Sequence, residues 1–109
     1  MSFDVVPIPE FVKELKGLTK KYRSLKVEIA ELGDELAEHP HMGVPIGRDC
    51  YKIRVAIKSK GTGKSGGARV ITCVVAVRKE VYLLSIYDKS EQATLTDKRL
   101  KELLKQIQR

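Results

Sequence analysis

Residues 50–87 read CYKIRVAIKSKGTGKSGGARVITCVVAVRKEVYLLSIY, and three strands can be read from them. In Cys50–Lys58 the alternation is clean. Tyr51, Ile53, Val55 and Ile57 point one way; Lys52, Arg54 and Lys58 point the other. Side chains of a strand alternate between faces, so this is a half-buried strand with a cationic second face. Ala68–Val77 is almost wholly apolar, with Arg69 interrupting it near the loop end, which suits a central strand covered on both sides. Glu80–Tyr87 is a third run rich in β-branched and aromatic residues. A glycine-rich turn, Gly61 to Gly67, joins the first two runs, and Arg78-Lys79 joins the second to the third.

Outward from this meander, Ser2–Ile8 reads as a first strand ended by Pro7 and Pro9. Pro9 opens a helix, where its missing N–H costs nothing. Phe11, Leu15 and Leu18 make one apolar stripe through about Leu18. A second helix from about Tyr22 to Glu38 carries Leu25, Ile29, Leu32 and Leu36 at helical spacing. The stretch Pro40–Asp49, with two prolines and two glycines, reads as a loop. A last helix starts near Thr96, the expected N-cap, and shows Leu100, Leu103, Leu104 and Ile107 on one face. The order is βααβββα. This is an α+β fold whose antiparallel sheet packs against N-terminal helices and a C-terminal helix.

The 109 residues suffice for one domain, taken as 1–109, and are too few for two. No apolar run approaches the ~20 residues of a membrane span, and no secretory signal layout opens the chain. The expectation is a soluble, cytoplasmic protein. Cys50 and Cys73 lie in strands and read as reduced, small hydrophobes.

Charge is unevenly placed. Residues 1–49 hold 7 basic and 9 acidic side chains, whereas residues 50–109 hold 14 and 5. Between Lys52 and Arg69 there are six cations, Lys52, Arg54, Lys58, Lys60, Lys64 and Arg69, and no acid. Such clustering on one hairpin points to a polyanion, here RNA, rather than to a solvated basic surface.

Several chemistries are excluded. Gly63-Lys64-Ser65 resembles the end of a nucleotide-binding P-loop, but residue 58 is Lys where a glycine is needed. A strand, not a helix, also follows. His39 and His41 are the only histidines, and no metal-ligand spacing exists, so no metal and no cofactor is expected. Neither GxSxG nor a carboxylate pair on the cationic face is present.

Lys, Arg and one aromatic hydroxyl remain. If the three strands pair in sequence, Arg54, Arg69 and Tyr87 converge on one face, with Lys89 close behind. Such a set can cleave RNA without metal, since the ribose 2′-OH attacks its own phosphate. That reaction needs positioning, proton transfer and charge stabilisation. Arginine binds phosphate oxygens with its fork, and a lysine crowded by cations is a better base than an isolated one. The alternatives are an edge-packed Tyr87, a salt bridge from Arg69 to Glu80, Asp88 or Glu91, and a solvated Lys60.

Three segments carry a resemblance. They are KIRVA at residues 52–56, GKSGGARVI at residues 63–71 and YLLSIYDKSE at residues 82–91. Together they resemble the RelE/ParE toxin superfamily of bacterial toxin–antitoxin systems, and most nearly its HigB-like branch. The resemblance implies a compact α+β fold with a twisted antiparallel sheet. It implies an endoribonuclease that cuts mRNA on the ribosome and is neutralised by a cognate antitoxin. Lys52 and Arg54 fall on the family's basic strand residues, and Lys64 on its loop lysine. Arg69 falls on the arginine that contacts the scissile phosphate, and Tyr87 and Lys89 on the closing YxK pair. Catalysis is thus expected from Arg69, Lys64, Tyr87 and Lys89, and RNA binding from Lys52, Arg54, Lys58 and Lys60. Thr72-Cys73 stands where relatives often carry aromatics. The sister ParE branch acts on DNA gyrase, so a non-catalytic gyrase inhibitor or a degenerate RNA-binding relative is the alternative.

Overall fold

The computed structural model describes residues 2–61 and 63–107; Thr62, inside the glycine-rich turn, lies outside the described residues. The elements are β1 (Asp4–Pro7), α1 (Pro9–Lys21), α2 (Leu25–Glu38), β2 (Val44–Gly47), β3 (Cys50–Val55), β4 (Ala68–Val75), β5 (Glu80–Asp88) and α3 (Asp97–Leu104). Single 3₁₀ turns follow β3 at Lys58–Lys60 and β4 at Ala76–Arg78. One five-stranded sheet runs in the order β1-β5-β4-β3-β2. The architecture is α+β, with β3, β4 and β5 forming the expected meander.

Two features differ from the sequence reading. The stretch expected as a loop contains β2, which pairs antiparallel with β3 through a two-residue turn at Arg48 and Asp49. Both turn residues have positive φ, 58° and 61°, the geometry whose twist matches a hairpin. Pro45 is tolerated because β2 is an edge strand and needs no outward donor. The sheet is also mixed rather than antiparallel throughout, because β1 runs parallel to β5, from Asp4 opposite Glu80 to Pro7 opposite Leu83. No local signal sets that direction, since the partner strand lies more than 70 residues away.

Strand β4 is central, and every residue from Ala68 to Val74 is buried. Helix α1 continues one turn beyond Leu18, and its Tyr22 cap amide closes on the Leu18 carbonyl. Phe11, Leu25, Leu32 and Leu36 bring the helical stripes into the core against Val70, Leu84 and Ile86. Beyond the last β1 pairing, α1 borders the β5 edge. There the Glu14 carboxylate accepts from Ser85 Oγ at 2.9 Å and from the Ile86 amide at 3.3 Å. Burial pushes the Glu14 carboxyl up from its usual value, against the pull of those two donors. Helix α3 is capped by Thr96, whose hydroxyl accepts from the Arg99 amide at 3.1 Å. It buries Leu100 and Leu103, and Leu100 shares a cleft with Lys52 and Ile71 on the cationic side of the sheet.

Gly67 sets how closely the loop approaches the sheet. A Cβ there would lie 2.1 Å from the Val55 carbonyl oxygen, backbone that cannot swing aside. Gly67→Ala should therefore destabilise the fold by about 3 kcal/mol, the upper range for overpacking a tight site. Chemical denaturation would measure it, and an unchanged midpoint would contradict the close approach.

Candidate nucleic-acid interface

Strand register decides which of the expected residues meet. Arg54 lies directly opposite Arg69, and Arg69 directly opposite Tyr87. Residues directly opposed in an antiparallel pair share a face. Arg54, Arg69 and Tyr87 therefore form one row across three strands, beside the glycine-rich loop. Lys52 lies two residues before Arg54 and shares that face by alternation. Lys89 lies just past β5, where its amide donates to the Gly67 carbonyl at 3.1 Å. Like charges placed opposite one another cost stability unless each is separately satisfied.

The members of the row differ. Arg54 is exposed. Arg69 is only 4% exposed. Its Nη1 donates to the Lys64 carbonyl at 2.9 Å and the Ala68 carbonyl at 3.1 Å, and its Nη2 donates to the Ser65 carbonyl at 3.1 Å. The expected salt-bridge alternatives, Glu80, Asp88 and Glu91, are all paired elsewhere. Tyr87 is buried, its hydroxyl near Thr94 and Leu95 but without a close hydrogen bond. Burial pushes its phenol up from the usual value, so it is neutral at neutral pH and suited to donating a proton in a hydrogen bond.

Lys60 is a correction. Instead of facing a ligand with the other cations, its Nζ lies 2.7 Å from Asp88 Oδ1, with a second bond to Ser90 Oγ at 3.0 Å, and sits over the Tyr22 ring. Asp88 adjoins the row but points to the other face, because it pairs with Ala68 rather than Arg69. Lys60 is thus held on the helix side of the sheet. Among the described residues, no carboxylate lies within ion-pair distance of Lys52, Arg54, Lys58, Lys64, Arg69 or Lys89.

No single cavity collects these cations. Arg54, Lys58 and Lys64 line one cleft of about 210 Å³ with Glu28 and Glu31 of α2. Lys52 lines another, with Ile71 and Leu100. The cations are thus divided between two shallow clefts rather than gathered in one pocket.

Two buried carboxylates hold this end of the sheet from beneath; the sequence reading did not single out Glu28 and named Asp88 only as a candidate partner of Arg69. Asp88, 2% exposed, accepts from Tyr22 Oη at 2.6 Å, from Lys60, from the Ser90 amide at 3.0 Å and from Ser90 Oγ at 2.8 Å. Burial alone would raise its carboxyl pKa, but Lys60, Tyr22 and Ser90 together hold it well below the carboxylate range. Glu28 accepts from Ser24 Oγ at 2.9 Å and from the Lys58 amide at 2.8 Å. A polar residue inside an apolar helical stripe was the available signal for Glu28; nothing local marked Lys60 and Tyr22 as the partners of Asp88.

Known structures share this fold. An E. coli RelE toxin carrying two substitutions, solved in the free state, superposes with a TM-score of 0.64 at 19% identity, covering 99% of this chain and all of that one. The isolated E. coli RelE toxin in a second crystal gives 0.62 at 16% identity, covering 97% of this chain and all of that one.

The fold is that of RelE.

No family model matches the chain. No described helix is long and apolar enough to cross a membrane.

Asp88→Asn should cost about 3 kcal/mol, because it leaves the largely buried Lys60 charge uncompensated. The Asp88 carboxyl is depressed in the folded state. Its contribution is therefore complete above the unfolded carboxylate value near ~4 and is lost as pH falls below it. Denaturant midpoints from pH 7 down to 3 should fall for the parent and flatten for Asp88→Asn; parallel curves would contradict the ion pair.

Proposed function

We propose that this chain is the toxin of a toxin–antitoxin pair, an endoribonuclease of the HigB-like branch that cleaves mRNA on the ribosome in the cytoplasm. The carrying observation is the row of Arg54, Arg69 and Tyr87, flanked by Lys64 and Lys89, with no acid paired to its cations among the described residues. The RelE fold supports the same reading.

In the proposed reaction one lysine, Lys64 or Lys89, takes the proton of a ribose 2′-OH. The 2′-oxygen forms a bond to the adjacent phosphorus, and the bond to the 5′-oxygen of the next nucleotide breaks. The other lysine protonates that leaving oxygen, giving a 2′,3′-cyclic phosphate and a 5′-hydroxyl. Cations beside the phosphate stabilise the charge that develops on its oxygens. Lys52, Arg54 and Lys58 hold the flanking backbone, and Tyr87 ends the row with its hydroxyl buried near Thr94 and Leu95. No metal or small-molecule cofactor enters these steps. The partner that restrains the activity is a cognate antitoxin, an acidic and partly disordered segment being the chemistry that fits an exposed basic face.

Primer extension on cellular mRNA after expression should reveal new 5′ ends within coding sequence. The purified protein with ribosomes should give cyclic-phosphate products that persist in chelator. Lys64→Ala and Lys89→Ala should each slow cleavage by about 10²-fold, the lower range for losing a proton-transfer group. Intact transcripts with damaged DNA would instead favour a gyrase inhibitor.

A further inference from the structure

We infer that Arg69 serves this site as a positioning residue that locks the glycine-rich loop, leaving the phosphate contacts to Arg54, Lys64 and the other exposed cations. The inference rests on the RNA reading above and divides the labour within it. Three of the five guanidinium donors are already used, on the carbonyls of Lys64, Ser65 and Ala68. The side chain is 4% exposed, so a phosphate cannot reach it without lifting the loop away.

The same bonds fix the loop from within. Arg69 stands on β4, the most completely buried strand, and its fork reaches back four and five residues to the carbonyls of Ser65 and Lys64. The Gly67 amide adds a bond to the Lys64 carbonyl at 3.3 Å, and Gly67 abuts the Val55 carbonyl. Lys64 is thereby set at the mouth of the cleft that Arg54 and Lys58 also line. Arg54 faces Arg69 across the β3–β4 pair but is exposed and free of any ion pair among the described residues. A buried cation with three of its five donors bound to loop carbonyls and an exposed, unengaged one thus share a row, and the second is the one presented to a ligand.

Salt dependence separates the two roles. Each phosphate contact on a single strand contributes about 0.7 to the slope of log affinity against log salt. The probe is a 2′-O-methylated oligoribonucleotide, which cannot be cleaved. Arg54→Ala should lower the slope by about 0.7, whereas Arg69→Ala and Arg69→Lys should leave it unchanged. Trypsin reads the loop in the free protein. Cleavage after Lys64, relative to cleavage after Lys89, should rise about tenfold in both Arg69 variants, matching the loss of a charge-assisted hydrogen bond. Arg54→Ala should leave it at the parent rate. At saturating ribosome-bound mRNA, Arg69→Lys should cut about 10²-fold more slowly while affinity for the probe stays near the parent's. Arg69→Lys keeps a cation in the buried position if Arg69→Ala proves too unstable to study. A fall of about 0.7 in slope for the Arg69 variants, with tryptic cleavage unchanged, would overturn the inference. If the parent binds no RNA, the RNA reading fails, and the tryptic result still decides whether Arg69 locks the loop.

Discussion

The Asp88 carboxylate is the point at which the chain's distant segments meet. It sits at the end of β5 and takes hydrogen bonds from Tyr22 at the end of α1, from Lys60 in the turn after β3 and from Ser90 in the following loop. A carboxylate taken out of water is costly unless its lone pairs are satisfied, and this one has four donors. The arrangement therefore ties the helical half of the chain, the β3–β4 connection and the C-terminal loop to one buried atom pair. Glu28 repeats the device one step away, where α2 holds the Lys58 amide.

These two anchors explain how a flexible glycine-rich connection presents cations in a defined place. The acids lie under the sheet end, on the helix side. The row of Arg54, Arg69 and Tyr87 lies on the opposite face. Asp88 is thus kept off the face of the row, and although Glu28 and Glu31 line the cleft of Arg54, Lys58 and Lys64, neither forms an ion pair with them. Lys60 is the exception, since it is consumed by the anchor, and its positive charge helps hold the loop rather than a ligand.

Much of this was legible in the sequence. The clean alternation of Cys50–Lys58 gave a half-buried strand with Arg54 outward, and the apolar run after Ala68 gave a central strand. Sequential pairing of three strands was enough to align Arg54, Arg69 and Tyr87, because antiparallel register carries residues straight across. What misled was equally specific. Pro45 and two glycines concealed β2, because an edge strand tolerates a proline that a central strand would not. Arg69 was read as pairing with a carboxylate if not a ligand, yet three of its donors reach carbonyls at Lys64, Ser65 and Ala68, and no sequence pattern announces that. Lys60 looked equivalent to its neighbours, since nothing local tells a lysine pointing at solvent from one turned beneath the sheet.

The sequence by itself determined the period of each segment, and with it the strands of the meander, the helical stripes and the sign of the charge on the outer face. Periodicity is a local property, set by which side chains must leave water. Only the tertiary structure decided which cations are free, because an ion pair depends on a partner brought near from far along the chain. Lys60 and Asp88 lie 28 residues apart, and Tyr22 and Asp88 66 residues apart. Charge within reach of charge, in a place that water does not fill, is a fact about folded space rather than about order along the chain.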